Sequence, residues 1–222
     1  MAVLGVDGWR GAWVGALLDG RRVTLLHLRD AGAVLAVPDV EVVAIDMPIG
    51  LSDDGPRACD QEAKALLGSA GSSVFPAPVR AVLGARDHAH ARELSVAATG
   101  GTSLSAQAFQ LVPSIRALDD ALGDPPPDHV VEVHPELAFR VGLGGVTDPK
   151  GTARGAAQRL AALRAVMDVE EAMLAAPPRV PAVDALDACA AAWSARRVAD
   201  GTNACVGDGA RDSRGRPMRI CW

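Results

Sequence analysis

Two aspartates three residues apart, Asp184 and Asp187, sit in a run of Ala, Leu, Cys and Trp covering residues 182–198. Such a run reads as a buried helix, and the i, i+3 spacing puts both carboxylates on one face of it. A buried carboxylate needs a compensating partner, because the loss of water is otherwise too costly. Arg196 and Arg197 lie more than two turns further on and cannot supply it from within the helix. A divalent metal ion can.

Isolated acids also close apolar runs elsewhere. Residues 2–6 stop at Asp7, ahead of Gly8-Trp9-Arg10-Gly11, and residues 40–45 stop at Asp46, ahead of Met47-Pro48. A third strand, 129–133, carries Glu132. If these strands are neighbours in one sheet, their acids converge with the helical pair. Hard carboxylate oxygens suit Mg²⁺ or Mn²⁺, and two such ions about 3.5–4 Å apart suit phosphodiester hydrolysis. The candidate metal ligands are therefore Asp7, Asp46, Glu132, Asp184 and Asp187, with Asp7, Asp46, Glu132 and Asp187 as the catalytic set. Three of them have a competing structural reading. Asp7-Gly8 could open a hairpin turn, Asp184 could cap its helix, and Glu132 could pair with an arginine. Whether one ion or two bind is left open.

The elements that must position these acids can be read from periodicity. Residues 3–6, 12–18 and 22–28 form three consecutive strands, with Asp19-Gly20 a strong hairpin turn. A short helix over 31–37 then leads to the strand ending at Asp46. Further helices are expected over 60–67, 88–98, 105–122 and 153–167, with Pro113 imposing a kink or splitting 105–122 in two. Residues 69–80 read as an ordered loop and 142–145 as another, since the latter lacks the Lys-Ser/Thr context of a phosphate loop. Residues 218–221 read as a last strand. The architecture is α/β: an antiparallel meander, then parallel strands, flanked by helices in one domain over 1–222. Residues 52–122 form a helical insertion in it, and the loop Phe75-Pro76-Ala77-Pro78 is expected to line a substrate cleft.

The whole chain narrows the classes. Its 222 residues are 49% hydrophobic and 22% charged, enough for a real core. No apolar run approaches the ~20 residues of a membrane span, and no basic-then-apolar leader opens the sequence. Cys59, Cys189, Cys205 and Cys221 are scattered, and read as reduced thiols of a cytoplasmic protein, not as a zinc site. The formal charge of −5 argues against a grip on long nucleic acid, where phosphate neutralisation supplies most of the binding energy. A short or structured nucleic acid fits better.

Several motifs carry a family resemblance. They are Gly5-Val6-Asp7-Gly8-Trp9-Arg10-Gly11, Ile45-Asp46-Met47-Pro48-Ile49-Gly50-Leu51 and Ser73-Val74-Phe75-Pro76-Ala77-Pro78. Ser105-x-Gln107, Glu132-Val133-His134-Pro135-Glu136, Lys150-x-Thr152 and Asp184-x-x-Asp187-Ala188 complete the set. In this order, across nearly the whole chain, they resemble domain-of-unknown-function family 429, itself similar to a branch of the ribonuclease H-like superfamily of predicted nucleases. The resemblance implies a ribonuclease H-like five-stranded mixed sheet and metal binding by Asp7, Asp46 and the pair Asp184/Asp187, while Glu132 belongs to the family's own motif.

Other polar residues are candidates for substrate contact. Arg10 and Lys150 could reach phosphate or be solvated surface charge, Gln107 could touch substrate, and Ser105 reads as a helix cap. His134 could orient a phosphate, though Pro135 after it favours a structural hydrogen bond. The leading expectation is a Mg²⁺- or Mn²⁺-dependent nuclease. A nucleotide or small-phosphoester enzyme on the same scaffold is the alternative, since the turn after Asp7 resembles the phosphate hairpin of actin-like ATPases. A non-catalytic interaction module is the third reading.

Overall fold

The structure, a computed structural model, describes residues 1–222. Continuous apolar runs build β1 (Ala2–Trp9) and β2 (Ala12–Asp19), buried on both faces, and apolar alternation builds β3 (Arg22–Leu28). Arg10 and Gly11 turn the first hairpin with φ of 49° and 82°, a left-handed pair that suits a tight connection. Asp30 caps α1 (Ala31–Leu35) by accepting from the Ala33 amide at 2.7 Å, and β4 (Val40–Asp46) follows. Then come α2 (Ala58–Leu67), α3 (His88–Thr99), α4 (Ala106–Leu122) and β5 (Val130–Glu132). A short α5 (Pro135–Leu137) runs on into a π-helical turn, Ala138–Leu143. The chain closes with α6 (Ala153–Arg164), α7 (Val169–Leu174), α8 (Ala182–Ala199), β6 (Cys205–Val206) and β7 (Ile220–Cys221).

Two compact units emerge. The first comprises Met1–Met47, Asp128–Cys205 and Cys221–Trp222. Its five-stranded sheet has the order β3-β2-β1-β4-β5, with β3, β2 and β1 antiparallel to their neighbours and β1, β4 and β5 mutually parallel. This is the α/β architecture with a mixed sheet flanked by helices that the sequence predicts.

Helix α8 lies on β1, β2 and β4. Gly5 explains how closely it packs: a Cβ there would sit 1.9 Å from the Ala192 amide nitrogen and 2.3 Å from the Ala188 carbonyl oxygen. Gly5 therefore faces α8, and by the two-residue period of a strand so does Asp7. Register then decides which other acids share that face. Gly5 is level with Ala44 and Asp7 with Asp46, whereas Val6, Ile45 and Glu132 belong to the opposite face. The alignment of Asp7 with Asp46 depends on an irregularity further back. From Ala2↔Val40 to Leu4↔Val43, β1 advances two residues while β4 advances three. Such bulges flip the facing of everything downstream.

The second unit comprises Pro48–Pro127 and Val206–Ile220 and contains the whole of 52–122. Arg57 and Asp60 form a buried pair within it, 2.5 Å apart. Arg80, Arg214 and Arg216 meet Asp119, Asp124 and Asp212 in one network that ties residues 206–220 to α4. Helix α4 runs continuously through Pro113, so residues 105–122 are not split into two helices. Ala108, Val112, Ile115, Leu118 and Leu122 are buried along one face on both sides of it, and that packing outweighs the missing backbone bond. Residues 68–80 contain a 3₁₀ turn (Gly68–Ser73), and the expected loop at 142–145 begins only after the π-helical turn.

The cysteines depart from expectation. Cys205 and Cys221 form a disulfide, while Cys59 and Cys189 are buried and unbridged. The backbone brings the pair together: Ala204 and Trp222 exchange hydrogen bonds of 3.0 and 2.9 Å, setting Cys205 and Cys221 side by side. The four-thiol argument for a reducing compartment therefore fails for this pair. No helix is long and apolar enough to cross a membrane.

Candidate functional site

At the ends of the parallel strands, Asp7 and Asp46 stand level on adjacent strands, about 4.8 Å apart in backbone spacing. Asp187 descends on them from α8, 1% exposed. Oδ1 of Asp187 is buried with no partner. The other oxygen, Oδ2, is 2.7 Å from the Lys150 ammonium, whose side chain is half exposed. Asp184, one turn earlier, is half-buried and acts on Asp7 through its charge. It is not the helix cap; Pro181 holds that position.

These charges are mutually unfavourable. Burial pushes the Asp7 carboxyl well above its ordinary range, reinforced by the charges of Asp46, Asp187 and Asp184 and only partly opposed by Lys150. Asp46 is raised to about 7, by burial first and then by Asp187. Asp187 is also raised by burial, against the pull of Lys150. Burial alone would lower the Lys150 ammonium, but the charge and hydrogen bond of Asp187, with Asp46 and Asp7 behind it, raise it instead. Cys189 beside the cluster is pushed up to about 12 by burial and the Asp187 charge, so it stays a neutral thiol.

A further acid is brought in that the sequence reading did not single out. Glu136, 5% exposed on α5, acts on both Asp46 and Asp187. Burial would raise its pKa, but Arg140 at 2.7 Å and the buried Arg159 hold it below the carboxylate norm. Glu136 closes the same motif as Glu132. The available signal was Pro135, which starts a helix and carries the next acid over the strand ends.

Glu132 is not brought to the cluster. It is level with Ile45, on the sheet face away from Asp7 and Asp46, and is buried there. The chain leaves the sheet at His134, whose carbonyl accepts from the Leu137 and Ala138 amides and so opens α5. Arg10 is exposed at the tip of the first hairpin. Gln107 is exposed in the first turn of α4, in the second unit, where Ser105 caps the helix by accepting from Ala108 at 3.1 Å.

The donor set suits a hard divalent cation. It consists of carboxylates from separate elements, with the unpartnered Oδ1 of Asp187 among them, in a site whose own charges repel. No group of three or more His, Cys, Asp or Glu side chains is arranged to hold a metal ion. Mg²⁺ is held by one or two carboxylates together with water and substrate phosphate.

A family model described as Protein of unknown function (DUF429) matches residues 5–211, and the chain belongs to that family. No curated protein and no solved structure matches it.

Proposed function

We propose that this member of the DUF429 family is a divalent-metal-dependent phosphodiesterase of the nuclease type, built on a ribonuclease H-like fold. The observation that carries the reading is the level pair Asp7 and Asp46 on adjacent parallel strands, with Asp187 and its unpartnered buried Oδ1 on the helix packed against those strands. The strand order, with an antiparallel meander ahead of the parallel strands, supports the ribonuclease H-like assignment. Acids at the ends of β1 and β4 and on a late helix crossing them support it further.

One or two carboxylates of the cluster formed by Asp7, Asp46 and Asp187, with water and substrate phosphate, would hold Mg²⁺ or Mn²⁺. When bound, such an ion supplies Lewis-acid polarisation of a phosphoryl group and activation of water. The protein's own part is to fix the carboxylates. Strand register sets Asp7 against Asp46, and the close seat of α8 on Gly5 sets Asp187 above them. Glu136, kept anionic by Arg140 and Arg159, contributes field and is unsuited to donating a proton. The formal charge of −5 favours a short or structured nucleic acid, or a nucleotide, over long duplex.

The test is hydrolysis of single-stranded, duplex, hybrid and branched oligonucleotides and of nucleotide phosphoesters, with Mg²⁺ or Mn²⁺. Metal-dependent cleavage lost in both Asp7→Asn and Asp46→Asn is expected. Cleavage that survives Asp46→Asn, or none with any substrate, would overturn the proposal.

A further inference from the structure

The Cys205–Cys221 bridge has one end in solvent. Cys205 is exposed, whereas Cys221 is 1% exposed. Exposed disulfides are the labile ones, open to exchange with external thiols. The side-chain amide of Asn203 donates to Cys205 Sγ at 3.1 Å on that open side.

The buried end is built into the element that brings Glu136 to the acid cluster. Cys221 pairs in parallel with Val133, whose amide donates to the Ile45 carbonyl at 3.0 Å, one residue before Asp46. Trp222 packs on the π-helical turn after α5. A Cβ on Gly142 would stand 3.1 Å from Trp222 Cδ1 and 2.4 Å from the Trp193 ring, so the turn is flanked closely by both indoles. Arg140, two residues before Gly142, donates to Glu136 at 2.7 Å and to the Thr147 carbonyl at 3.1 Å. Cys221 and Trp222 thus brace the turn that presents Arg140 to Glu136. Their own hold is slight without the bridge. Strands β6 and β7 are two residues each, and a two-stranded ribbon is marginally stable by itself.

We propose that Cys205 is a site of thiol–disulfide exchange, and that the bridge is a redox-sensitive clasp on the turn carrying Arg140. A dithiol reductant supplies the two electrons. Its thiolate attacks Cys205 Sγ and forms a mixed disulfide; the Sγ–Sγ bond breaks, and Cys221 leaves as a thiolate that takes up a proton. The second thiolate of the reductant attacks the reductant's own sulfur in the mixed disulfide. Cys205 leaves and is protonated, and the reductant ends as a disulfide. With the clasp open, Cys221 and Trp222 come away from the π-helical turn, and Arg140 and Glu136 lose their fixed placement. The switch stands whether or not the site hydrolyses phosphoesters.

The test is hydrogen exchange read by mass spectrometry on the native protein, before and after incubation with dithiothreitol, with alkylation to count reduced thiols. Dithiothreitol should open the bridge in the folded protein. Exchange should then rise severalfold in residues 133–143 while β1 and β2 stay protected. Oxidised glutathione should restore both bridge and protection, and Cys205→Ser should show the loosened pattern with or without dithiothreitol. A bridge that resists dithiothreitol until the protein is denatured would overturn the proposal, as would unchanged exchange at 133–143 after reduction or in Cys205→Ser. Loss of protection throughout the sheet would overturn it too, because the bridge would then staple the whole fold.

Discussion

Asp7 and Asp46 tax the fold whenever no cation is present, and this makes them accessible to measurement without a substrate. Asp7→Asn removes a buried acid and its repulsion with Asp46, Asp187 and Asp184. Its metal-free melting temperature should rise above that of wild type. Wild type should gain about 2.7 kcal/mol at one hundred times the metal's Kd, or roughly 5–10 °C, and Asp7→Asn much less. Equal metal responses in melting with EDTA and across a Mn²⁺ titration would show that Asp7 is not a ligand. The pH dependence has a definite sign. The folded pKa of Asp46, about 7, lies above its unfolded value, so the folded state holds the proton more tightly. Its contribution is most favourable below the unfolded pKa and is lost as pH rises through about 7. Urea unfolding in EDTA between pH 5 and 8 should therefore show falling stability for wild type and a flatter profile for Asp46→Asn. A steeper profile in the variant would refute the assignment.

At the scale of elements, α8 and β1 define the site through their closeness. Gly5→Ala would drive a methyl into the backbone of Ala188, Ala191 and Ala192. Overpacking of that kind costs typically 1–3 kcal/mol, and here about 3 or more because backbone must move. Since the same displacement carries Asp187 away from Asp7, the metal-dependent rise in melting temperature should shrink along with stability. A destabilised variant that keeps the full metal response would separate the two effects and sink the argument. The elements also explain what could be read in the sequence. Asp7, Asp46 and Asp187 were legible because each interrupts an apolar run, and the meander because Asp19-Gly20 punctuates it. Glu132 misled because facing is decided by strand register, a property of two segments together. One residue's difference puts it beneath the sheet, and Glu136 takes its place through the turn into α5. Lys150 was legible as a charge, but its contact with Asp187, made by the fold between residues far apart in sequence, was not.

For the molecule as a whole, the Cys205–Cys221 bridge fastens the segment after α8 to the last residues of the chain. Neither spacing nor composition announces it, since the two cysteines meet only through pairing of Ala204 with Trp222. A loop of this size is worth about 3 kcal/mol of chain entropy. Titration of the denatured, unreduced protein should count two thiols, Cys59 and Cys189, and four after reduction. Cys205→Ser with Cys221→Ser should lower the melting temperature by roughly 6–12 °C. Four thiols before reduction would remove the bridge from the account. The net charge of −5 matters at this scale too. With few phosphate contacts to make, any oligonucleotide affinity should depend only weakly on salt.

The extra residue that β4 spends between Val40 and Val43 has a consequence for how this chain can vary in length. Past that point the strand behaves like a reading frame. One residue inserted between Ala44 and Asp46 would turn Asp46 under the sheet, and the metal response would vanish even if the protein folded. One residue inserted at Glu41 or Val42 falls where the ladder is already out of step and can be absorbed locally. Two insertion variants a few positions apart should therefore differ sharply in their Mn²⁺-dependent melting shift. The tolerance for added length would be written into the first half of a seven-residue strand and withheld from the second.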